Sequence, residues 1–182
     1  MPRRHRQNLE GGFYHVYARG NDGGLVYRQD QDRKDYLRRL SEVVIEKRWR
    51  CLAYCLMSNH LHLLLETPEG NLSSGMQALH GGYAQAFNTR HEREGHLFQG
   101  RYGAVRIETS EQLCMAAAYV ARNPVEARLC RRPEDWLWSS FRGAVERSFP
   151  DWLDAERLLS FFAGDAFTAR LRYAEMADVR VM

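Results

Sequence analysis

Arg50-Cys51-Leu52-Ala53-Tyr54-Cys55-Leu56-Met57 and His60-Leu61-His62-Leu63-Leu64-Leu65-Glu66, joined at Ser58-Asn59, form the stretch on which the fold turns. Two runs of strand length separated by two turn-forming residues read as a hairpin. With the turn at Ser58-Asn59, Met57 faces His60, Leu56 faces Leu61 and Cys55 faces His62. Side chains alternate across a strand, so His60 and His62 share a face with Cys55, while Leu61, Leu63 and Leu65 share the other with Leu52, Tyr54 and Leu56. The leucine face is expected to be core under helices. The histidine face is then free to hold a site.

Outward from the hairpin, Phe13 to Arg19 alternates, is rich in aromatics and stops at Gly20-Asn21-Asp22-Gly23-Gly24, which reads as a strand and a loop. From Asp32 to Arg48, Tyr36, Leu37, Leu40, Val43 and Val44 recur at helical spacing, and Leu72, Met76, Leu79, Tyr83 and Phe87 do the same from Leu72 to Phe87. Gly103 to Glu108 reads as a fourth strand. The order β-α-β-β-α-β is the ferredoxin-like plan of an α+β domain. Beyond it, Ser110 to Asn123 carries Leu113, Ala116, Ala117 and Val120 on a helical stripe, which Pro124 is expected to end because the residue before a proline avoids helical geometry. Trp136, Trp138 and Phe141 form an aromatic knot, and residues 151 to 182 read as short helices. The organisation is one domain over residues 1–145 with a helical C-terminal extension over 146–182, packed on or near it.

A chain of 182 residues with 45% hydrophobic content can bury a substantial core. No apolar run approaches the roughly 20 residues of a membrane span, and Met1-Pro2-Arg3-Arg4-His5-Arg6 lacks the apolar stretch of a secretory signal, so the expected location is the cytoplasm, with no membrane partner. Cys51, Cys55, Cys114 and Cys130 are too few and too irregular for a disulfide framework and are expected to be reduced. The net charge of +3 is only mildly basic, but lysine occurs only at positions 34 and 47. Almost all positive charge is therefore arginine, which binds phosphate bidentately and stacks on bases; GC-rich codon usage is the competing explanation.

Two imidazoles side by side on a rigid strand suit a metal, although a satisfied histidine pair has the same pattern. Cys55 beside His62 raises a zinc reading, but Cys51 and Cys55 lie about 13 Å apart on a strand, and buried thiols account for both. Tyr119 and Asn123 stand four apart on one helix face behind the small residues Ala116 to Ala118, which let that helix lie close to a sheet. A tyrosine at its usual pKa of about 10 is a poor nucleophile, and a divalent ion polarising the phosphate under attack supplies the help it needs. The segment from His91 to Arg106, with Arg93, His96, Phe98, Gln99, Arg101, Tyr102 and Arg106, mixes phosphate donors with rings, as single-strand and hairpin recognition requires; a solvated loop is the alternative. Arg3, Arg4 and Arg6 form an arm suited to a groove or a flanking strand, and equally to a tail.

Four motifs in order carry a family resemblance: Phe13-Tyr14-His15-Val16 with Arg19-Gly20-Asn21; Ala53 to Leu64; Gly95-His96-Leu97-Phe98-Gln99-Gly100-Arg101-Tyr102; and Tyr119-Val120 with Asn123-Pro124-Val125, followed by Trp138-Ser139-Ser140-Phe141. Over about three-quarters of its length the chain resembles the REP-associated tyrosine transposases, a branch of the single-tyrosine transposases that bear a His-hydrophobic-His motif. That resemblance implies a ferredoxin-like catalytic domain in a bacterial, nucleoid-associated protein acting on single-stranded or hairpin DNA with Mg²⁺ or Mn²⁺, as monomer or homodimer. It makes Tyr119 the nucleophile of a 5′-phosphotyrosine intermediate, His60 and His62 metal ligands, and Asn123 the third ligand, where insertion-sequence relatives carry glutamine. A hairpin-binding protein with little or no cleavage role remains the alternative. An RNA-binding ferredoxin-like module fits less well, because histidines stand where its central strands would carry stacking aromatics.

Overall fold

The computed structural model describes residues 10–178, so Arg3, Arg4 and Arg6 lie outside the described residues. Strands β1 (Gly12–Arg19), β2 (Arg50–Leu56), β3 (His60–Thr67) and β4 (Gly103–Ile107) alternate with helices α1 (Asp30–Glu46) and α2 (Leu72–Arg90) in the expected order. They form one antiparallel sheet in the order β2-β3-β1-β4. Helices α3 (Ser110–Glu126), α4 (Phe141–Glu146), α5 (Ala155–Leu159) and α6 (Ala166–Ala177) follow.

The hairpin closes as its sequence requires. The Met57 amide donates to the His60 carbonyl at 2.9 Å, Leu56 pairs with Leu61 and Cys55 with His62. Further along, a bulge between Cys51 and Ala53 shifts the register, so Cys51 rather than Leu52 opposes Leu65. On the outer edge of β2 beside it, Asp154 donates to the Cys51 carbonyl at 2.8 Å, Ser140 to the Tyr54 carbonyl at 3.0 Å, and Leu56 to the Trp138 carbonyl at 2.9 Å. The segment after α3 thus satisfies an edge that would otherwise be open to pairing, and edges are where bulges concentrate.

Both faces of the sheet are covered. Tyr14, Val16, Leu61, Leu63 and Leu65 are at most 1% exposed on the leucine face, where α1 and α2 pack on each other and Tyr36 of α1 reaches Cys51. The histidine face is not uncovered, contrary to the sequence expectation. Helix α3 packs on β2 and β3, Tyr173 of α6 donates to the Ala117 carbonyl of α3 at 3.5 Å, and Phe161 meets Phe13 edge-on at 5.6 Å. Residues 153 to 177 accordingly contribute Leu153, Leu158, Phe162 and Tyr173 to the same buried cluster as the sheet.

Helix α3 begins where Thr109 accepts from the Gln112 amide at 3.2 Å and, unlike the sequence expectation, continues past Pro124 to Glu126. The ring's fixed φ is compatible with a helix, and only the bond to the carbonyl four residues back is lost. Asn123, Pro124 and Val125 are buried, so packing holds that last turn in place. No helix among the described residues is long and apolar enough to cross a membrane.

Candidate active site

The strand and helix periodicities converge at one end of the histidine face. His60 and His62 project from β3 just after the turn, with ring centroids 5.2 Å apart and planes at 87°. Their free nitrogens are set by neighbours. Asn59 donates from Nδ2 to the Gly23 carbonyl at 3.2 Å, so its Oδ1 accepts from His60 Nδ1 at 2.8 Å, which leaves the Nε2 lone pair of His60 free. His62 uses Nδ1 against Nε2 of His15 at 3.0 Å, with the two rings stacked at 5.1 Å. Its own Nε2 is buried and has no hydrogen-bond partner among the described residues.

Burial holds all three histidines neutral. Desolvation lowers the pKa of His15 and of His60, and takes His62 down to about 3, where the neighbouring imidazoles add to the fall. Asn123, whose Nδ2 donates to the Tyr119 carbonyl at 2.9 Å, lies beside both rings and partly offsets that fall, as an oxygen that favours the protonated imidazole does. Two imidazole nitrogens and an amide oxygen are therefore available at one place. Imidazole nitrogens and an amide oxygen are donor types that could hold a divalent ion. No group of three His, Cys, Asp or Glu side chains with metal-binding geometry occurs among the described residues.

Tyr119 enters from α3, one turn before Asn123. Its ring meets His62 edge-on at 5.5 Å and His15 at 5.8 Å, and it is 39% exposed. It lines a cleft of about 540 Å³ together with Tyr17, Arg19, His60, His62, Gln99 and Arg101. A larger groove of about 630 Å³ lies between Val44–Arg50 and Phe149–Glu156, but no histidine, cysteine or tyrosine lines it.

The segment from His91 to Arg106 divides. The Gln99 amide donates to the Arg19 carbonyl at 2.8 Å and the Asn21 amide to the Leu97 carbonyl at 2.9 Å, prolonging β1 and turning Gln99 and Arg101 toward the cleft. Phe98 points the other way. It is 8% exposed and stacks on His80 at 4.3 Å, so the expected base-stacking ring is a core ring. Tyr102 is likewise buried beside His80. Arg93 clips its own loop, donating to Asn88 Oδ1 at 3.1 Å and to the His96 carbonyl at 2.8 Å. His96 is exposed and does not line the cleft. Arg106 stands opposite Tyr14, on the leucine face of β4, and pairs with Glu10 at 3.3 Å and Glu108 at 3.2 Å. The sequence reading brought Tyr119, His60, His62, Asn123, Gln99 and Arg101 to this end of the molecule and missed His15, Tyr17 and Arg19. The signal was the odd-numbered alternation of β1, which joins the histidine face once Tyr17 pairs with His62 and Arg19 with His60.

Comparison with known proteins agrees with this architecture. No curated protein matches the chain significantly. Among solved structures, that of a REP-associated tyrosine transposase bound to a REP hairpin is similar, with a TM-score of 0.68 and 19% identity over 91% of this chain and 93% of that one. At that identity the likeness concerns the fold. A candidate transposase from Deinococcus radiodurans R1 matches less well, with a TM-score of 0.44 and 18% identity over 62% of this chain and 90% of that one. The family model described as IS200-like transposase matches residues 13–123, from the first residues of β1 through both histidines to Tyr119 and Asn123, and the chain belongs to that family.

Proposed function

We propose that this protein cuts and rejoins single-stranded or hairpin DNA, with Tyr119 as the nucleophile. The observation that carries the reading is the placement of a part-exposed tyrosine ring edge-on to a buried neutral histidine, 5.5 Å away, in a cleft that His60 also lines. The hairpin in the structural neighbour supports the substrate class for a chain of the same fold.

In the first step the Tyr119 hydroxyl oxygen attacks a phosphodiester phosphorus, and its proton passes to solvent. The phosphorus–O3′ bond breaks, the 3′ oxygen takes a proton and leaves with the upstream fragment, and the 5′ phosphate of the downstream fragment stays on the enzyme as a phosphotyrosine. Attack by a 3′-hydroxyl reverses the step and joins strands without an external energy source. His60, His62 and Asn123 would hold Mg²⁺ or Mn²⁺, which supplies polarisation of the phosphate oxygens when bound. The chain's own part is preparation. Asn59 fixes the tautomer of His60, His15 engages Nδ1 of His62, and burial keeps both ligands unprotonated at neutral pH. Arg19 and Arg101 at the cleft supply guanidinium donors for the strand's phosphates.

The test follows from the bond that breaks. The retained fragment lies 3′ of the cut, so a 3′-labelled hairpin oligonucleotide incubated with protein and Mn²⁺ should yield a labelled covalent adduct on a denaturing gel. Tyr119→Phe should lose that adduct completely while binding the hairpin within a few-fold of wild type. A phenylalanine variant that still traps DNA would remove Tyr119 from the role.

A further inference from the structure

We infer that Tyr17 is a stacking platform for one unpaired base of the single strand that enters the cleft, an inference that rests on the DNA reading above. The two rings of the His91–Arg106 segment, Phe98 and Tyr102, are buried and offer no face to a base in the cleft. Tyr17 is 44% exposed, on a sheet whose other aromatics on β1, Phe13 and Tyr14, are half-buried or buried. An exposed ring is an ordinary surface feature unless something holds it in place for a ligand.

Gly103 does so. It pairs with Tyr17 across the β1–β4 ladder, and a Cβ at position 103 would stand 2.3 Å from Cζ, 2.5 Å from Cε2 and 2.6 Å from the hydroxyl oxygen of Tyr17. The outer half of the ring therefore passes over a backbone that only glycine leaves clear, and glycine within a strand marks such close approaches. His15 flanks the ring on its own strand at 5.8 Å, so the tyrosine is fixed from below and from the side while its remaining surface faces the cleft.

Position supplies the ligand's identity. Tyr17 pairs directly with His62 on β3, and it shares the cleft with Arg19, Arg101 and Tyr119. A strand whose phosphate reaches Tyr119 must carry its adjoining bases past this ring, with the arginines on its backbone. An aromatic face beside guanidinium groups is the chemistry that holds single-stranded nucleic acid, because every base has a π-face to stack.

Fluorescence anisotropy at fixed salt tests this with a labelled hairpin oligonucleotide bearing single-stranded flanks, intact or with one abasic site moved along the flank. With wild-type protein, one abasic position should weaken binding by about 5- to 150-fold, the range for a lost base stack. Tyr17→Ala should weaken binding to the intact oligonucleotide by a similar factor, lose the abasic penalty at that position, and keep the same salt slope and melting temperature. Tyr17→Phe should retain the wild-type profile. A Tyr17→Ala protein with wild-type affinity and an unchanged abasic profile overturns the inference and leaves the hairpin reading standing. A wild-type protein that binds none of these oligonucleotides overturns the hairpin reading and this inference with it.

Discussion

The two faces of the sheet are built from the same strands and covered by helices on both sides, yet they do opposite work. The leucine face is lined chiefly by fully buried aliphatic side chains, with Arg106 at its β4 edge. The histidine face packs rings that carry nitrogen under α3 and α6, and it opens into the cleft where Tyr17, His60 and Tyr119 meet. Covering a polar face has a chemical consequence that an exposed histidine pair would not have: desolvation strips the histidines of their protons and orphans Nε2 of His62. Burial that stabilises one face by removing apolar surface from water disfavours the charged form of the imidazoles on the other.

Single substitutions on the two faces sharpen this contrast most. Leu63→Ala, at a position with no exposure, should cost about 2–5 kcal/mol of stability in urea unfolding. His62→Ala removes a ring whose Nε2 is already unsatisfied, so its cost should be smaller, about 1–2 kcal/mol, while Mn²⁺-dependent cleavage disappears. Equal destabilisation with cleavage preserved would show that the histidine face is only a second core.

Acid should separate the faces next. His62, with a folded pKa near 3 against about 6.5 unfolded, is favoured neutral by folding. Its contribution is complete above pH 6.5. It declines as pH falls from about 6.5 toward 3, because the unfolded chain takes up a proton the folded one refuses, with a slope approaching about 1.4 kcal/mol per pH unit. His80, also depressed to about 3 by burial, adds a second loss of the same sign. Unfolding measured between pH 7.5 and 5 should therefore show Leu63→Ala displaced in parallel with wild type and His62→Ala with a flatter dependence. Parallel curves for both variants would mean that His62 titrates normally.

The smallest effect concerns charge at the two faces. Arg101 reaches the cleft, whereas Arg106 is held on the leucine side by Glu10 and Glu108. Arg101→Ala should make the salt dependence of hairpin binding shallower by about 0.7 to 0.9 in log-log slope, the share of one phosphate contact. Arg106→Ala should leave the slope unchanged. A reversed result would place the DNA on the other face.

Periodicity alone determined a good part of this molecule. The order of strands and helices, the hairpin turn at Ser58-Asn59, the common face of His60 and His62, and the one-turn separation of Tyr119 from Asn123 all follow from the two-residue repeat of a strand and the 3.6-residue repeat of a helix. Those repeats are local properties of backbone geometry, so they are written in adjacent residues. Other features depend on what arrives from far along the chain. The bulge at Cys51 stands where Asp154 pairs with the outer edge of β2, and the cover over His62 comes from α3. The inward turn of Phe98 is set by a contact with His80, and His15 and Tyr17 join the site only because β1 lies beside β3. A loop residue has no fixed period to say which way it points, and burial is a property of all the surfaces that meet at a place. The sequence by itself determined which residues carry the chemistry on β3 and α3; the tertiary structure decided which rings face the substrate and which fill the core.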